Sequence, residues 1–373
     1  MRAPWGAHYH CPIVQSHPPK TMGGPIRIGN RNIGLGNPVY IIAELSANHN
    51  QDLRQAVCLI DAAKEAGADA IKLQTYTPDT ITIRSDAEAF QIRGGTLWDG
   101  RTLHDLYGEA FTPWEWHAEL QQKALACGMD FFSSPFDASA VDFLETLSVP
   151  AYKIASPELV DIPLIQKAAG TGRPLIMSTG MATAEEIEEA LAAARGAGAQ
   201  QIALLKCTSA YPSPPQEMNL SLIPALAGKF GVPVGLSDHS LGIAVPIAAV
   251  ALGACIIEKH LTLSRSVNGP DSEFSLEPHE FKAMVDAVRT AELAIGKPEF
   301  QVGEKEKATR AFRRSLFVVE DVKSGEVFTA KNVRSIRPGN GLHTRHLSEI
   351  IGQRAASDIE RGTPLRWELV AGK

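Results

Sequence analysis

Val232-Pro233-Val234-Gly235-Leu236-Ser237-Asp238-His239 and Ala254-Cys255-Ile256-Ile257-Glu258-Lys259-His260 are two short apolar runs, each closed by a histidine. Each reads as a buried β-strand whose last residues turn polar, and Gly242 to Leu252 between them reads as a helix. Strands that are apolar on both faces belong to parallel sheets covered on both sides. Two imidazoles at the carboxyl ends of successive parallel strands stand side by side at one mouth of a sheet or barrel.

The same unit recurs outward from this pair. Tyr40-Ile41-Ile42-Ala43 leads to Glu44, and Ala70-Ile71-Lys72-Leu73-Gln74 follows a helix ending at Gly67. Asp130-Phe131-Phe132 leads to Ser133-Ser134, and Ala151-Tyr152-Lys153-Ile154 leads to Ser156. Pro174-Leu175-Ile176-Met177 leads to Ser178-Thr179-Gly180, and Gln201 to Leu205 leads to Lys206. With the two histidine strands, these runs predict an α/β fold, a (β/α)8 TIM barrel spanning residues 25–296. No G-x-G-x-x-G follows the first strand, which argues against an open dinucleotide-binding sheet.

Residues 77–116 interrupt the rhythm after the second strand with Gly94-Gly95-Thr96-Leu97-Trp98-Asp99-Gly100 and Trp114-Glu115-Trp116. In a barrel this insertion falls on the catalytic rim, where its aromatic residues either staple the loop or meet a substrate. Residues 297–312 are charged and read as a linker, and residues 313–373 change to short strands and turns, a small β-rich domain. Residues 1–24 read as a disordered extension without the apolar core of a signal peptide. His8, His10, Cys11 and His17 within it have no periodic element to frame a metal site.

With 36 basic and 42 acidic residues the net charge is -6, which argues against nucleic-acid or membrane-surface partners. Five scattered cysteines without a C-x-x-C pair fit a reducing, cytoplasmic setting. No apolar run approaches the ~18 residues of a membrane span.

Barrel active sites form where strands end, so the polar residues there are the candidates. Alternation places Lys72 and Gln74 on one face, and Glu258 and His260 on one face with Lys259 pointing away. Two inward lysines, Lys72 and Lys153, among many hydroxyls predict a polyanionic small-molecule ligand. His239 and His260 supply two nitrogens, fewer than the usual catalytic zinc set, and so suit a six-coordinate cation such as Mn2+. Glu258 beside His260 is a candidate to order water or act as a base.

Taken in order, Ile71-Lys72-Leu73-Gln74, Ser133-Ser134-Pro135-Phe136-Asp137, Lys153-Ile154-Ala155-Ser156, Ser178-Thr179-Gly180-Met181, Tyr211-Pro212, Gly235-Leu236-Ser237-Asp238-His239, Glu258-Lys259-His260 and Gly269-Pro270-Asp271 resemble the sialic acid synthases. These enzymes condense phosphoenolpyruvate with an amino-sugar aldehyde. The C-terminal segment, with Arg337-Pro338-Gly339-Asn340-Gly341, resembles their antifreeze-like (SAF) domain. The resemblance implies that His239 and His260 bind Mn2+ or Mg2+, with Co2+ as a substitute. It implies that Lys72, Gln74, Ser134, Lys153, Ser156, Ser178 and Ser237 hold phosphoenolpyruvate, and that Glu44, Glu158, Tyr211 and Asp271 contact the open-chain sugar. Glu44 and Glu258 become the candidates for proton transfer. Arg337 is expected to reach the sugar across a homodimer with exchanged C-terminal domains. Within the family, the Leu97 to Trp116 loop and Lys206-Cys207-Thr208-Ser209-Ala210-Tyr211 resemble the pseudaminic acid branch, whose sugar is a diacetamido-trideoxy altrose; neuraminate and legionaminate synthesis are the alternatives. A metal-dependent hydrolase or aldolase would require more carboxylate or histidine ligands, and a carbohydrate-binding module would not require the barrel mouth.

Overall fold

A computed structural model describes residues 24–267 and 269–372, so the expectation of an N-terminal extension lies, apart from Gly24, outside the described residues. The chain divides after Gly296 into two compact units.

The first unit is a closed barrel of eight parallel strands: β1 Tyr40–Glu44, β2 Ala70–Thr75, β3 Asp130–Pro135, β4 Tyr152–Ile154, β5 Leu175–Ser178, β6 Ile202–Cys207, β7 Val234–Asp238 and β8 Ile256–His260. Eight principal helices alternate with them: α1 Leu53–Ala66, α2 His117–Ala126, α3 Ala138–Thr146, α4 Ile162–Ala169, α5 Ala184–Gly196, α6 Leu222–Phe230, α7 Ala244–Ala251 and α8 Pro278–Ile295. Ile41, Ile71, Phe132, Ile154, Ile176, Leu204, Leu236 and Ile257 are fully buried, as strands enclosed on both faces require. Each such side chain contributes about 1.5–3 kcal/mol of burial. Helix ends follow local chemistry. Asp52 caps α1 by accepting from the Arg54 amide, and Gly67 ends it in the left-handed region at φ +90°. Thr183 and Glu186 form a capping box at the start of α5.

Register carries the polar strand ends to one mouth. β8 closes on β1 with Ile256 opposite Tyr40 and His260 opposite Glu44. Glu44 is then level with Lys72, Gln74 with Ser134, and Cys207 with Ser237. Gly235 on β7 permits this closure, because a Cβ there would lie 2.4 Å from the Ile256 carbonyl oxygen.

A hairpin of Ile26–Ile28 and Arg31–Ile33 precedes the barrel. Ile26, Ile28 and Ile33 join the barrel's core cluster, and Arg31 pairs with Asp69 and Asp130. The second unit holds one antiparallel pair, β9 Ser315–Val318 with β10 Val333–Ile336, around a separate core that includes Leu316, Phe328 and Ile350. Most of it is turns joined by isolated bridges such as Val322 to Ile359, and Gly325–Phe328 is a turn with a single bridge at Val327. The segment read as a linker contains a short helix, Glu304–Thr309. Among the described residues no helix is long and apolar enough to cross a membrane.

Candidate active site

The strand ends of the barrel surround a cavity of about 450 Å³. At its base the Lys72 ammonium is ion-paired with Glu44 Oε2, lies 3.3 Å from Glu258 Oε1 and donates to Ser134 Oγ at 3.3 Å. Lys153 donates to Ser178 Oγ at 2.7 Å and lies 3.7 Å from the same Glu258 oxygen. Ser237 Oγ donates to Glu258 Oε1 at 3.2 Å, whereas Glu258 Oε2 is buried with no hydrogen-bond partner. Burial holds the Glu44 carboxyl above the usual carboxylate range despite Lys72. Burial also acts against charge on Glu258, but Lys153 and Lys72 together hold that carboxyl low. For Lys153, burial prevails and its ammonium is held below the ordinary lysine range. The strand ends thus gather a network of alternating charges that is open on one side to the cavity.

The imidazoles of His239 and His260 face each other with ring centroids 5.3 Å apart. His239 Nδ1 donates to the Thr208 carbonyl at 3.1 Å, which leaves Nε2 as the nitrogen turned to a ligand, the arrangement of a metal-ligating histidine with an outer partner. Burial works against charge on this ring, but Cys207 and the Thr208 carbonyl hold it above the ordinary histidine range, so a cation there would displace a proton. His260 Nδ1 is buried without a hydrogen-bond partner, 3.8 Å from Asp271 Oδ2. Burial, reinforced by His239, keeps the His260 ring in its neutral, ligand form. Among the described residues no group of three or more His, Cys, Asp or Glu converges as a metal cluster. The pair therefore fits a cation that takes two protein nitrogens and keeps further positions open.

Aromatic rings cover the mouth. Tyr211 lies 4.5 Å from the His239 ring, 5.1 Å from Phe274 and 5.5 Å from Trp98, centroid to centroid. Trp98 Nε1 donates to the Pro270 carbonyl at 2.9 Å, tying the insertion over the cavity. Trp114, by contrast, stacks on Phe143, and Trp116 meets His49 edge-on. Trp114 and Trp116 staple the loop, whereas Trp98 lines the cavity. Opposite this cover Gly180 approaches closely: its amide donates to Ser156 Oγ, and a Cβ would lie 2.4 Å from Ser209 Oγ.

Of the residues singled out by sequence, Glu44, Lys72, Gln74, Lys153, Ser156, Ser178, Tyr211, Ser237, His239, Glu258, His260 and Asp271 line this cavity. Ser134 acts one layer back, on Lys72. Glu158 lies on the 3-10 turn Pro157–Val160 and not among the lining residues, with burial pushing its carboxyl up to about 7. Arg337 is an exposed residue just beyond β10 in the second unit. Lys206, a strand-end lysine like the others, turns to the helix layer: its ammonium donates to Cys207 O and Thr208 Oγ1. Lys259 also turns outward, to Asp238 and Ser240 O. Sequence reading does not single out Ser46, Cys207, Ser209 or Phe274, all of which line the cavity. Cys207 and Ser209 lie between Lys206 and Tyr211 in one motif; Ser46 follows Glu44 by two residues, the same-face spacing of a strand continued past its end.

A parallel eight-stranded barrel with an ionic network, a histidine pair and an aromatic cover around a cavity at one mouth has the layout of a barrel enzyme. Residues 59–300 match the NeuB family and residues 313–371 match the SAF domain. The chain is 48% identical over 341 residues to the pseudaminic acid synthase of Campylobacter jejuni subsp. jejuni, covering 91% of this chain and 98% of that one. It is 47% identical to the pseudaminic acid synthase of Helicobacter pylori, over 88% of this chain and 96% of that one. Among solved structures, the N-acetylneuraminic acid synthetase of Leptospira borgpetersenii aligns with a TM-score of 0.69 at 34% identity, over 78% of this chain and 96% of that one. The chain belongs to the NeuB family of sialic acid synthases and is a transferase-type enzyme close to the pseudaminic acid synthases.

Proposed function

We propose that the enzyme condenses phosphoenolpyruvate with 2,4-diacetamido-2,4,6-trideoxy-L-altrose and releases phosphate, the reaction of a pseudaminic acid synthase. The observation that carries this reading is the 48% identity to a pseudaminic acid synthase across 91% of the chain. The paired lysines and hydroxyls at the cavity base, under an aromatic cover, have the chemistry for a polyanion beside an N-acylated sugar.

Lys72, positioned by Ser134, and Lys153, with Ser156, Ser178 and Ser237, hold the carboxylate and phosphate so that C3 faces the aldehyde carbon. Such orientation is worth several kcal/mol, up to ~7–11 in well-aligned cases. C3 attacks the aldehyde carbon, forming the C–C bond and leaving positive charge at C2, while the aldehyde oxygen takes a proton from Glu44. Water adds to C2 and gives its proton to Glu258, whose Oε2 has no hydrogen-bond partner. The adduct then breaks the bond between C2 and the bridging oxygen, the C2 hydroxyl passes its proton to the departing phosphate as the ketone forms, and the proton held by Glu258 returns to Glu44, both carboxyls lying on the Lys72 ammonium. A divalent cation held by His239 and His260, Mn2+ or Mg2+ with Co2+ as a substitute, supplies Lewis-acid polarisation of the aldehyde when bound. The reading also includes a cytoplasmic homodimer with exchanged second units, in which Arg337 reaches the sugar in the partner's barrel.

Phosphate release from phosphoenolpyruvate in the presence of Mn2+ tests this, with the altrose-configured diacetamido sugar and N-acetylmannosamine assayed in parallel. Release with only the former is expected. Release with only the latter would move the enzyme to neuraminate synthesis, and release with neither would overturn the assignment unless the legionaminate precursor supports it.

A further inference from the structure

Ser46 stands two residues past Glu44, buried in the cavity wall, with φ at +41°. That left-handed region admits glycine freely and penalises a residue with a Cβ. The backbone alone would therefore be better served by glycine. A strained residue at a functional mouth raises the question of what its side chain does.

The hydroxyl has two partners, and their chemistry fixes its direction. Asp271 Oδ2 already accepts from the Ala47 amide at 3.5 Å, and as a carboxylate oxygen it takes the Ser46 hydroxyl proton. Ser46 Oγ is then left to accept, and Gln74 Nε2 donates to it at 2.9 Å. The Ser46 amide itself donates to Glu44 Oε1 at 2.7 Å. The chain Gln74 to Ser46 to Asp271 thus runs one way only. Its consequence is at the far end: the nitrogen of the Gln74 carboxamide is held toward Ser46, and no described residue donates to its Oε1.

We propose that Ser46 is a specificity-determining positioning residue for the sugar. It orients the Gln74 carbonyl and the Asp271 carboxylate as paired acceptors for N–H and O–H donors of an acylamino sugar. A carbonyl acceptor beside a carboxylate repels phosphate and carboxylate groups, so Gln74 serves the sugar and not the phosphoenolpyruvate expected from family resemblance. This inference rests on the proposed condensation and names the part of the wall that reads the acylated amine.

The test compares wild type, Ser46→Gly and Ser46→Ala by phosphate release, varying the diacetamido sugar at saturating phosphoenolpyruvate and then the reverse, with thermal melting of all three. Both variants are expected to lose ~5–100-fold in kcat/KM for the sugar, the effect of leaving buried acceptors misdirected. The KM for phosphoenolpyruvate stays within about twofold of wild type, as loss of an interaction with one substrate only requires. Ser46→Gly melts at or above the wild-type temperature because glycine relieves the strained backbone, whereas Ser46→Ala keeps the strain. Unchanged sugar kinetics in Ser46→Gly, or equal losses for both substrates, would overturn the proposal and leave the condensation standing. A wild-type enzyme that releases no phosphate with any acylamino sugar would overturn both.

Discussion

Glu258 and His260 turn into the barrel mouth while Lys259, between them, turns to the helix layer, and the two sides of this one strand treat charge in opposite ways. On the outer side the Lys259 ammonium donates to Asp238 Oδ2 at 2.7 Å and to the Ser240 carbonyl, and Asp238 Oδ1 accepts the Ser240 amide at 2.9 Å. Both side chains of this pair are fully buried, and neither appears among the buried polar groups lacking a hydrogen-bond partner. On the inner side, Glu258 Oε2 and His260 Nδ1 are as deeply buried and have none. Orphaned polar atoms are costly, so a fold keeps them only where something else will meet them. The outer pair is satisfied within the protein, whereas on the proposed function the inner groups would be met by substrate and cation.

The largest break in this comparison comes at the histidines. His239→Ala and His260→Ala should each lower turnover by more than about a hundredfold, beyond the loss that an outer partner of a ligand already causes. Calorimetric titration with Mn2+ should show no binding to either variant, while urea midpoints stay near wild type. Tight Mn2+ binding by either would remove the cation from this pair. Next is the outer face. Lys259→Met strands a buried Asp238 carboxylate and should cost about 3–5 kcal/mol of stability by urea unfolding, with turnover per folded molecule retained. The double variant Lys259→Met/Asp238→Leu should recover most of that loss. A single variant as stable as wild type would mean that the outer pair is not structural.

Glu158 sharpens the contrast through pH. Burial raises its carboxyl to about 7 from an ordinary value of 4.5, so the folded state binds the proton more tightly than the unfolded chain. The resulting destabilisation is absent below about pH 4.5, grows as pH rises and is complete above about pH 7. Glu158→Gln should therefore raise stability at pH 8 by about 1–3 kcal/mol and leave it unchanged at pH 4.5. An equal shift at both pH values would contradict burial as the cause. The smallest effect concerns the cover: Trp98→Ala should raise the sugar KM about 2–12-fold, the factor equivalent to an aromatic contact of about 0.5–1.5 kcal/mol, with that for phosphoenolpyruvate unmoved. Trp114→Ala, stacked on Phe143 away from the cavity, should instead lower the melting temperature and leave KM unchanged.

The barrel was legible because each buried strand is an apolar run with a polar end, from Tyr40–Glu44 to Ile256–His260. Alternation also sorted Glu258 and His260 from Lys259 correctly, since inward and outward positions differ by one residue. It did not sort Lys206, whose neighbour Cys207 takes the inward place and leaves the lysine to the helices. The N-terminal hairpin left a faint signal, the Gly29-Asn30 turn between runs of three residues, too short for periodicity to stand out. In the second unit most pairing is by single bridges, which leave no alternation to read. Ser46 was invisible for a different reason: its importance lies in a backbone angle and two distant partners, Gln74 and Asp271, that only the closed barrel assembles.

On the proposed function, the inner face joins C3 of phosphoenolpyruvate to an aldehyde and expels phosphate by breaking a C–O bond. Phosphoenolpyruvate labelled with heavy oxygen at the bridging position, turned over with the diacetamido altrose sugar, tests it directly. The account predicts that all of the label leaves in inorganic phosphate. Label retained in the sugar-acid product would mean cleavage at phosphorus, and neither Glu258 nor the water at C2 would then act as proposed.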